Sequence, residues 1–167
     1  MKMGKFFVIL TALFVILGTA RIAEAGKFPE FSTTDLNGEI ITNAIFAESD
    51  ITMIYFWATW CPPCVAGKPV LAEMYEKNLE RKGLIGILID MNNRERAQQI
   101  LSGAGAGFPQ LRVSQEMESI TRSVTGTGIP ASIFVDSEGN IVGPKILGSR
   151  SSQVYLQAIQ AAREEAY

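Results

Sequence analysis

The chain lacks histidine altogether and has only two cysteines among 167 residues. Structural zinc needs four ligands, usually Cys and His, so such a site is excluded. A copper site built from two cysteines and a histidine is excluded by the same absence. Two-coordinate Cu(I) on the two thiols is the metal role that this composition leaves. An excess of one charge is also missing: 15 Lys plus Arg stand against 17 Asp plus Glu, a net charge of −2. With no basic cluster, nucleic acid and anionic membrane are not expected partners. No nicotinamide or flavin motif occurs. The glycine-dense tract Gly103 to Gly107 has no lysine and Ser/Thr behind it in phosphate-loop spacing and reads as a connection. The uncharged run Phe6 to Ala20 falls short of the roughly 20 residues that a spanning helix needs.

That run sits in a segment with the layout of a targeting signal. Lys2 and Lys5 form a positive start, and Ala23-Glu24-Ala25 offers a small-x-small cleavage pattern. Gly18-Thr19-Ala20 is a second such pattern, so the mature start is Gly26 or Arg21. Residues 1–25 are expected to be a signal peptide, with an uncleaved membrane anchor through residues 6–20 as the alternative. No cysteine lies near either cleavage point to carry a lipid. Residues 26–167 are enough for one domain with a real core and too few for two. The expected location is the periplasm or another exported, oxidising compartment.

What the chain does have is one close cysteine pair, Cys61 and Cys64. A disulfide scaffold would hold many cysteines, and a bridge across two residues closes too short a loop to stabilise the chain much. The pair therefore reads as reactive. It lies in Trp60-Cys61-Pro62-Pro63-Cys64, after the apolar run Ile51 to Trp57, which reads as a buried strand. A thiol between a strand and a helix N-terminus meets the partial positive charge of that helix, which favours its thiolate. A second thiol one turn on can close a disulfide onto it.

The surrounding elements follow from periodicity and turn signals. Phe31 to Thr34 and Glu39 to Thr42 flank Asn37-Gly38, a hairpin signal, and Asn43 can cap a helical turn through Ala47. After the cysteines a helix is expected from about Cys64 to Arg81, with Val65, Leu71, Met74, Tyr75 and Leu79 as its apolar face and a kink at Pro69. Leu84 to Ile89 is continuously apolar and suits a central strand in a parallel pair. Asn92 or Asn93 can cap a helix through Ser102. A short strand over Phe108 to Val113 and a helix over Glu116 to Val124 come next. Ser132 to Val135 and Ile141 to Gly143 flank a turn, and Ser152 to Glu165 forms a last helix, with Glu164-Glu165 expected to fray. The order predicts an α/β fold, a mixed central sheet with helices on both faces in three α/β/α layers.

The run Phe56 to Cys64 resembles the active-site segment of thioredoxin-fold proteins, and is most similar to the exported thiol-disulfide oxidoreductases of the TlpA/ResA/CcmG type. Gly128-Ile129-Pro130-Ala131 with the hairpin after it resembles the cis-proline strand of that family, and Phe31 to Thr42 resembles the N-terminal hairpin added in this branch. The resemblance implies a thioredoxin-like fold with that added hairpin. It implies that Cys61 attacks and Cys64 resolves a mixed disulfide. Trp60, Pro62, Pro63, Ile129 and Pro130 would form the docking surface, the Ile129 backbone pairing with an extended partner segment. Trp57 belongs to the core on this reading. Pro130 as an ordinary trans turn proline is the bland alternative. The cysteine pair is the expected redox group, with no other cofactor and no metal.

Two departures from the family pattern stand out. Tyr55 occupies the place of thioredoxin's buried Asp, and Gly67 the place where many exported relatives carry a Glu. Lys68 would favour a thiolate if it pointed at the site; otherwise a water would have to carry the proton from Cys64. The implied function is reduction of disulfides in specific client proteins, as in cytochrome c maturation or metal-centre assembly, by a monomer recharged by a membrane thiol donor. The opposite direction, disulfide donation to folding proteins, is the nearest rival. A Cu(I)-delivery module is a rival of another class. A thiol peroxidase is disfavoured by the CxxC setting of Cys61.

Overall fold

The computed structural model describes residues 26–77, 83–90 and 93–167. Residues 1–25, where a signal peptide is expected, lie outside these, as do Leu79 to Lys82 and Asn92. A five-stranded sheet runs in the order β5-β4-β3-β6-β7. Its central strand β3 (Ile51–Trp57) is parallel to β4 (Leu84–Leu88), which is parallel to β5 (Gln110–Arg112). On the other side β3 pairs antiparallel with β6 (Ala131–Asp136), and β6 with β7 (Ile141–Leu147). This is the thioredoxin-like mixed sheet that the sequence predicts.

The unbroken apolar runs of β3 and β4 are explained by burial on both faces. Met53, Tyr55 and Trp57 face one cluster, shared with Cys61, Cys64, Leu71, Met74, Ala97, Leu101, Tyr155 and Ile159. Those residues come from helices α1 (Pro62–Ala66), α2 (Lys68–Lys77), α3 (Arg94–Gly103) and α5 (Ser152–Ala166), and from the Cys61 turn. Ile54, Phe56, Ile85, Ile87, Ile133 and Val135 face the opposite cluster, closed by α4 (Glu118–Thr125) and by Phe28, Phe31 and Phe46. The three phenylalanine rings meet edge to face at 5.5 to 5.9 Å, the arrangement that ring quadrupoles favour.

The N-terminal hairpin, β1 (Ser32–Thr34) against β2 (Ile40–Thr42), stands outside the main sheet. Its turn has Gly38 at φ 95, which favours glycine there. Leu36 N–H donates to Gln110 O at 3.0 Å and ties the hairpin to the β5 edge. The following turn, Asn43–Glu48, is a 3₁₀ helix capped by Thr42, whose Oγ1 accepts Ala44 N–H. Asn43 is not the cap: its side chain bonds Phe31 N–H and Pro29 O, joining the turn to the hairpin's start.

Other boundaries move for local reasons. The helix after the cysteines begins at Pro62, because the first helical positions need no internal N–H partner. It breaks at Gly67 and restarts at Lys68, as Pro69 supplies no backbone donor. β7 extends through Pro144 and Lys145 to Leu147; as an edge strand it tolerates a missing donor and an exposed lysine. The last helix does not fray at Glu164-Glu165. It runs to Ala166, and Glu165 Oε2 accepts Gly143 N–H at 2.9 Å.

Candidate active site

The cysteines sit where the C-terminal end of β3 turns into α1. Asp90, just beyond parallel β4, reaches across to hold that turn: its carboxylate accepts Thr59 N–H at 3.0 and 3.1 Å and Thr59 Oγ1–H at 2.5 Å. Sequence reasoning missed Asp90. Its signal was a lone carboxylate at the end of a buried apolar strand adjacent to β3.

Cys61 is the N-cap of α1, with extended backbone, and its Sγ accepts Cys64 N–H at 3.3 Å. Pro62 and Pro63 fill the next two positions, so Cys64 brings the first N–H after Cys61 itself. In the reduced protein that N–H would favour a thiolate at Cys61. The two sulfurs are bonded to each other in the structure, with Cα atoms 5.2 Å apart. Cys61 is 3% exposed and Cys64 0%, so access to the pair is through Cys61.

The remaining sequence-predicted residues gather around that opening. Trp60 is 64% exposed beside it, and Pro62 and Pro63 are exposed. The Ile129-Pro130 peptide is cis, and Ile129 O lies 3.8 Å from Cys61 Sγ. A disulfide sulfur has no proton, so that approach becomes a hydrogen bond only in the thiol form. Trp57, by contrast, is wholly core. Its Nε1–H donates to Gln110 Oε1 at 2.9 Å, and Gln110 Nε2 donates to Phe108 O at 3.1 Å. Gly86 makes room for this link, since a Cβ there would overlap the Gln110 amide.

Behind Cys64 the described residues present hydroxyls, from Tyr55 and Ser149. Tyr55 Oη–H donates to Cys64 O at 3.3 Å, and burial drives the Tyr55 phenol far above its ordinary range. A Cβ at Gly67 would overlap Ser149 Oγ and stand 3.3 Å from Tyr55 Oη, so a side chain there requires Ser149 to move. Tyr155 accepts Arg150 N–H at 3.2 Å; burial raises its phenol, a shift opposed by that bond and by its neighbours Ser149, Arg150 and Ser132. Nothing in the local sequence around Ser149 signals this role.

Lys68 is the main surprise. It is 0% exposed, one turn beyond Cys64 on the inward face, and absent from the apolar face that periodicity assigns to this helix. Its Nζ lies 3.6 Å from the Trp57 ring centroid, 4.7 Å from that of Tyr55 and 5.3 Å from that of Phe108. Burial pulls its pKa well below the ordinary lysine value.

Residues 25–143 match the AhpC/TSA family. The thiol-disulfide oxidoreductase ResA of Bacillus cereus is 30% identical over 135 residues, which cover 78% of this chain and 75% of that protein. The thiol:disulfide interchange protein DsbE of Haemophilus influenzae is 25% identical over 134 residues, 79% of this chain and 70% of its own. Among solved structures, a secreted thiol-disulfide isomerase from Corynebacterium glutamicum superposes with a TM-score of 0.68 at 20% identity, over 83% of this chain and 86% of that one. With a bonded Cys61–Cys64 pair in a thioredoxin-like fold, the chain belongs to the AhpC/TSA family and is a thiol-disulfide oxidoreductase of the ResA/DsbE type.

Proposed function

We propose that this protein is an exported dithiol reductant that acts on disulfides of specific partner proteins. The unequal exposure of the two cysteines carries the reading: Cys61 keeps a small accessible part and borders the Ile129-Pro130 peptide, and Cys64 has none. In the first step the Cys61 thiolate attacks one sulfur of the partner's disulfide. The bond between the partner's sulfurs breaks, the far sulfur leaves as a thiolate and takes a proton, and a mixed disulfide joins Cys61 to the partner. In the second, Cys64 loses its proton and attacks Cys61 Sγ. The second partner sulfur leaves as a thiol, and the pair is left oxidised. Two electrons and two protons have passed to the partner.

Trp60, Pro62 and Pro63 would offer a flat, largely rigid face to the partner, and Ile129 a backbone for an extended segment to pair with. A membrane thiol donor would restore the dithiol, because the exported compartment has no thiol buffer to do so. Residues 1–25 would direct a single domain, 26–167, to that compartment. Among the described residues no helix is long and apolar enough to cross a membrane. Cytochrome c maturation and metal-centre assembly are the proposed client pathways.

The test is Cys64→Ser, which stops the second step and leaves the partner linked to Cys61. Recovery of one or a few defined proteins from the exported fraction is expected. A broad set of folding intermediates would overturn the reductant reading in favour of a disulfide donor.

A further inference from the structure

A buried amine needs a reason, because a lysine is almost never fully buried unless paired. Among the described residues Lys68 Nζ has neither a hydrogen-bond partner nor an ion pair. Its surroundings are nevertheless suited to a cation. Trp57 presents its ring face to Nζ at 3.6 Å, with Tyr55 and Phe108 behind it, and aromatic faces attract a positive charge most strongly when it is desolvated. The seat can thus hold the amine neutral or charged.

The titratable groups around this seat are few. From β3 comes Tyr55, whose hydroxyl is tied to the Cys64 carbonyl; from α1 comes Cys64 itself. On α2, Tyr75 reaches the same neighbourhood through its ring contact with Phe108 at 5.8 Å. Behind Tyr55, α5 contributes Tyr155, which interacts with it electrostatically. Trp57 and Phe108, whose rings the amine faces, do not ionise, and the Glu48 carboxylate acts on Tyr75. Both tyrosines next to the cysteines have phenols raised by burial and remain protonated near neutral pH. Cys64, one turn before Lys68 and joined to the same Tyr55 whose ring the amine faces, is then the group of this set whose charge can change.

We propose that Lys68 is the charge counterpart of Cys64, neutral while the cysteines are bonded and protonated when Cys64 becomes a thiolate to resolve the mixed disulfide. The step balances: Cys64–SH and the Lys68 amine become Cys64–S⁻ and the Lys68 ammonium. The thiolate then bonds to Cys61 Sγ, the partner's sulfur leaves as thiolate, and the ammonium's proton is released to it or to water. The amine returns to its neutral form next to the new disulfide. Lys68 thereby stands in function for the acid that Tyr55 and Gly67 do not supply. It is a positioning residue acting on the ionisation of Cys64, and the proposal rests on Cys61 attacking and Cys64 resolving.

The experiment uses reduced protein and one equivalent of the aromatic disulfide dithiobis(nitrobenzoate), which needs no client. Attack by Cys61 releases the first thionitrobenzoate and resolution by Cys64 the second, so the two steps appear as two phases. Lys68→Met keeps the length and apolar stem of the side chain. In it the first phase is expected to persist, while the second slows by about tenfold or more near neutral pH. The second-phase rate should level off with rising pH in the parent and keep climbing in Lys68→Met. Superimposable second-phase profiles would overturn the proposal. A second measurement uses Cys61→Ser, where Cys64 is the one remaining thiol: adding Lys68→Met should shift its thiolate absorbance titration to higher pH, and an unmoved titration would overturn the proposal too. The attack order is checked separately, because Cys64→Ser must keep the first phase and lose the second. Failure there refutes the site assignment and not the lysine.

Discussion

Replacing Lys68 by Met should stabilise the oxidised protein, and by an amount that depends on pH. A buried, unpartnered polar group costs about 1–3 kcal/mol in proteins, and Lys68 Nζ is such a group. Charging it there would cost several kcal/mol in desolvation, against about 2 kcal/mol returned by a desolvated aromatic face. The neutral form therefore wins in the disulfide state, in keeping with the lowered pKa. The unfolded chain keeps an ordinary lysine near pH 10.4. Between the lowered folded value and that ordinary one, the unfolded state binds more protons, so stability rises with pH. The slope reaches at most about 1.4 kcal/mol per pH unit for one proton. Below the lowered value both states are protonated and the slope vanishes. Tyr55 acts oppositely, but only near and above pH 10, where the unfolded phenol ionises first. Urea unfolding of the disulfide form from about pH 6 to about pH 9.5 follows stability as pH rises towards the ordinary lysine value. The difference between Lys68→Met and parent should be largest at the acid end and shrink towards the alkaline end. Parallel curves would refute the claim that the folded protein holds this lysine neutral.

Two further outcomes follow from the glycines. Gly86→Ala places a methyl group into the Gln110 amide, so the bond from Trp57 should break at a cost of about 2–4 kcal/mol in urea unfolding, with a changed tryptophan emission; an unaltered emission and midpoint would count against it. Gly67→Glu restores an acid near Cys64 but overlaps Ser149 Oγ, so faster second-phase release is expected once Ser149 is replaced by Gly, and identical kinetics in Gly67→Glu/Ser149→Gly and Ser149→Gly would refute a proton-limited second step.

Elements with strong local signals were legible in the sequence. β3 matched its apolar run to the residue, since seven consecutive residues buried on both faces leave no exposed position to blur the boundary. The hairpin turn was marked by Asn37-Gly38, and the cis-proline loop by Ile129-Pro130 in its family setting. Weak signals failed where a distant segment supplied the partner. Asn43 looked like a cap but is engaged by Phe31 and Pro29, while α5 stays ordered to Ala166 and meets Gly143 of β7 through Glu165. No local pattern encodes either contact.

The division is sharpest at the site. Residue order alone determined the chemistry: two thiols one turn apart, two prolines between them that remove competing donors, a strand ahead and a helix behind, and no histidine to recruit a metal. Which thiol is reachable, and what stands behind the other, was decided only when the chain folded. Parallel β4 delivers Asp90 to Thr59, the loop before α5 delivers Ser149 into the space that Gly67 leaves empty, and β5 with its preceding loop closes Phe108 over Lys68. A lysine in a sequence reads as a surface charge, because its cost of burial is set entirely by what surrounds it. Here the surroundings are three aromatic rings, two from β3 and one from the loop before β5, and they turn that charge into a buried amine one turn from Cys64.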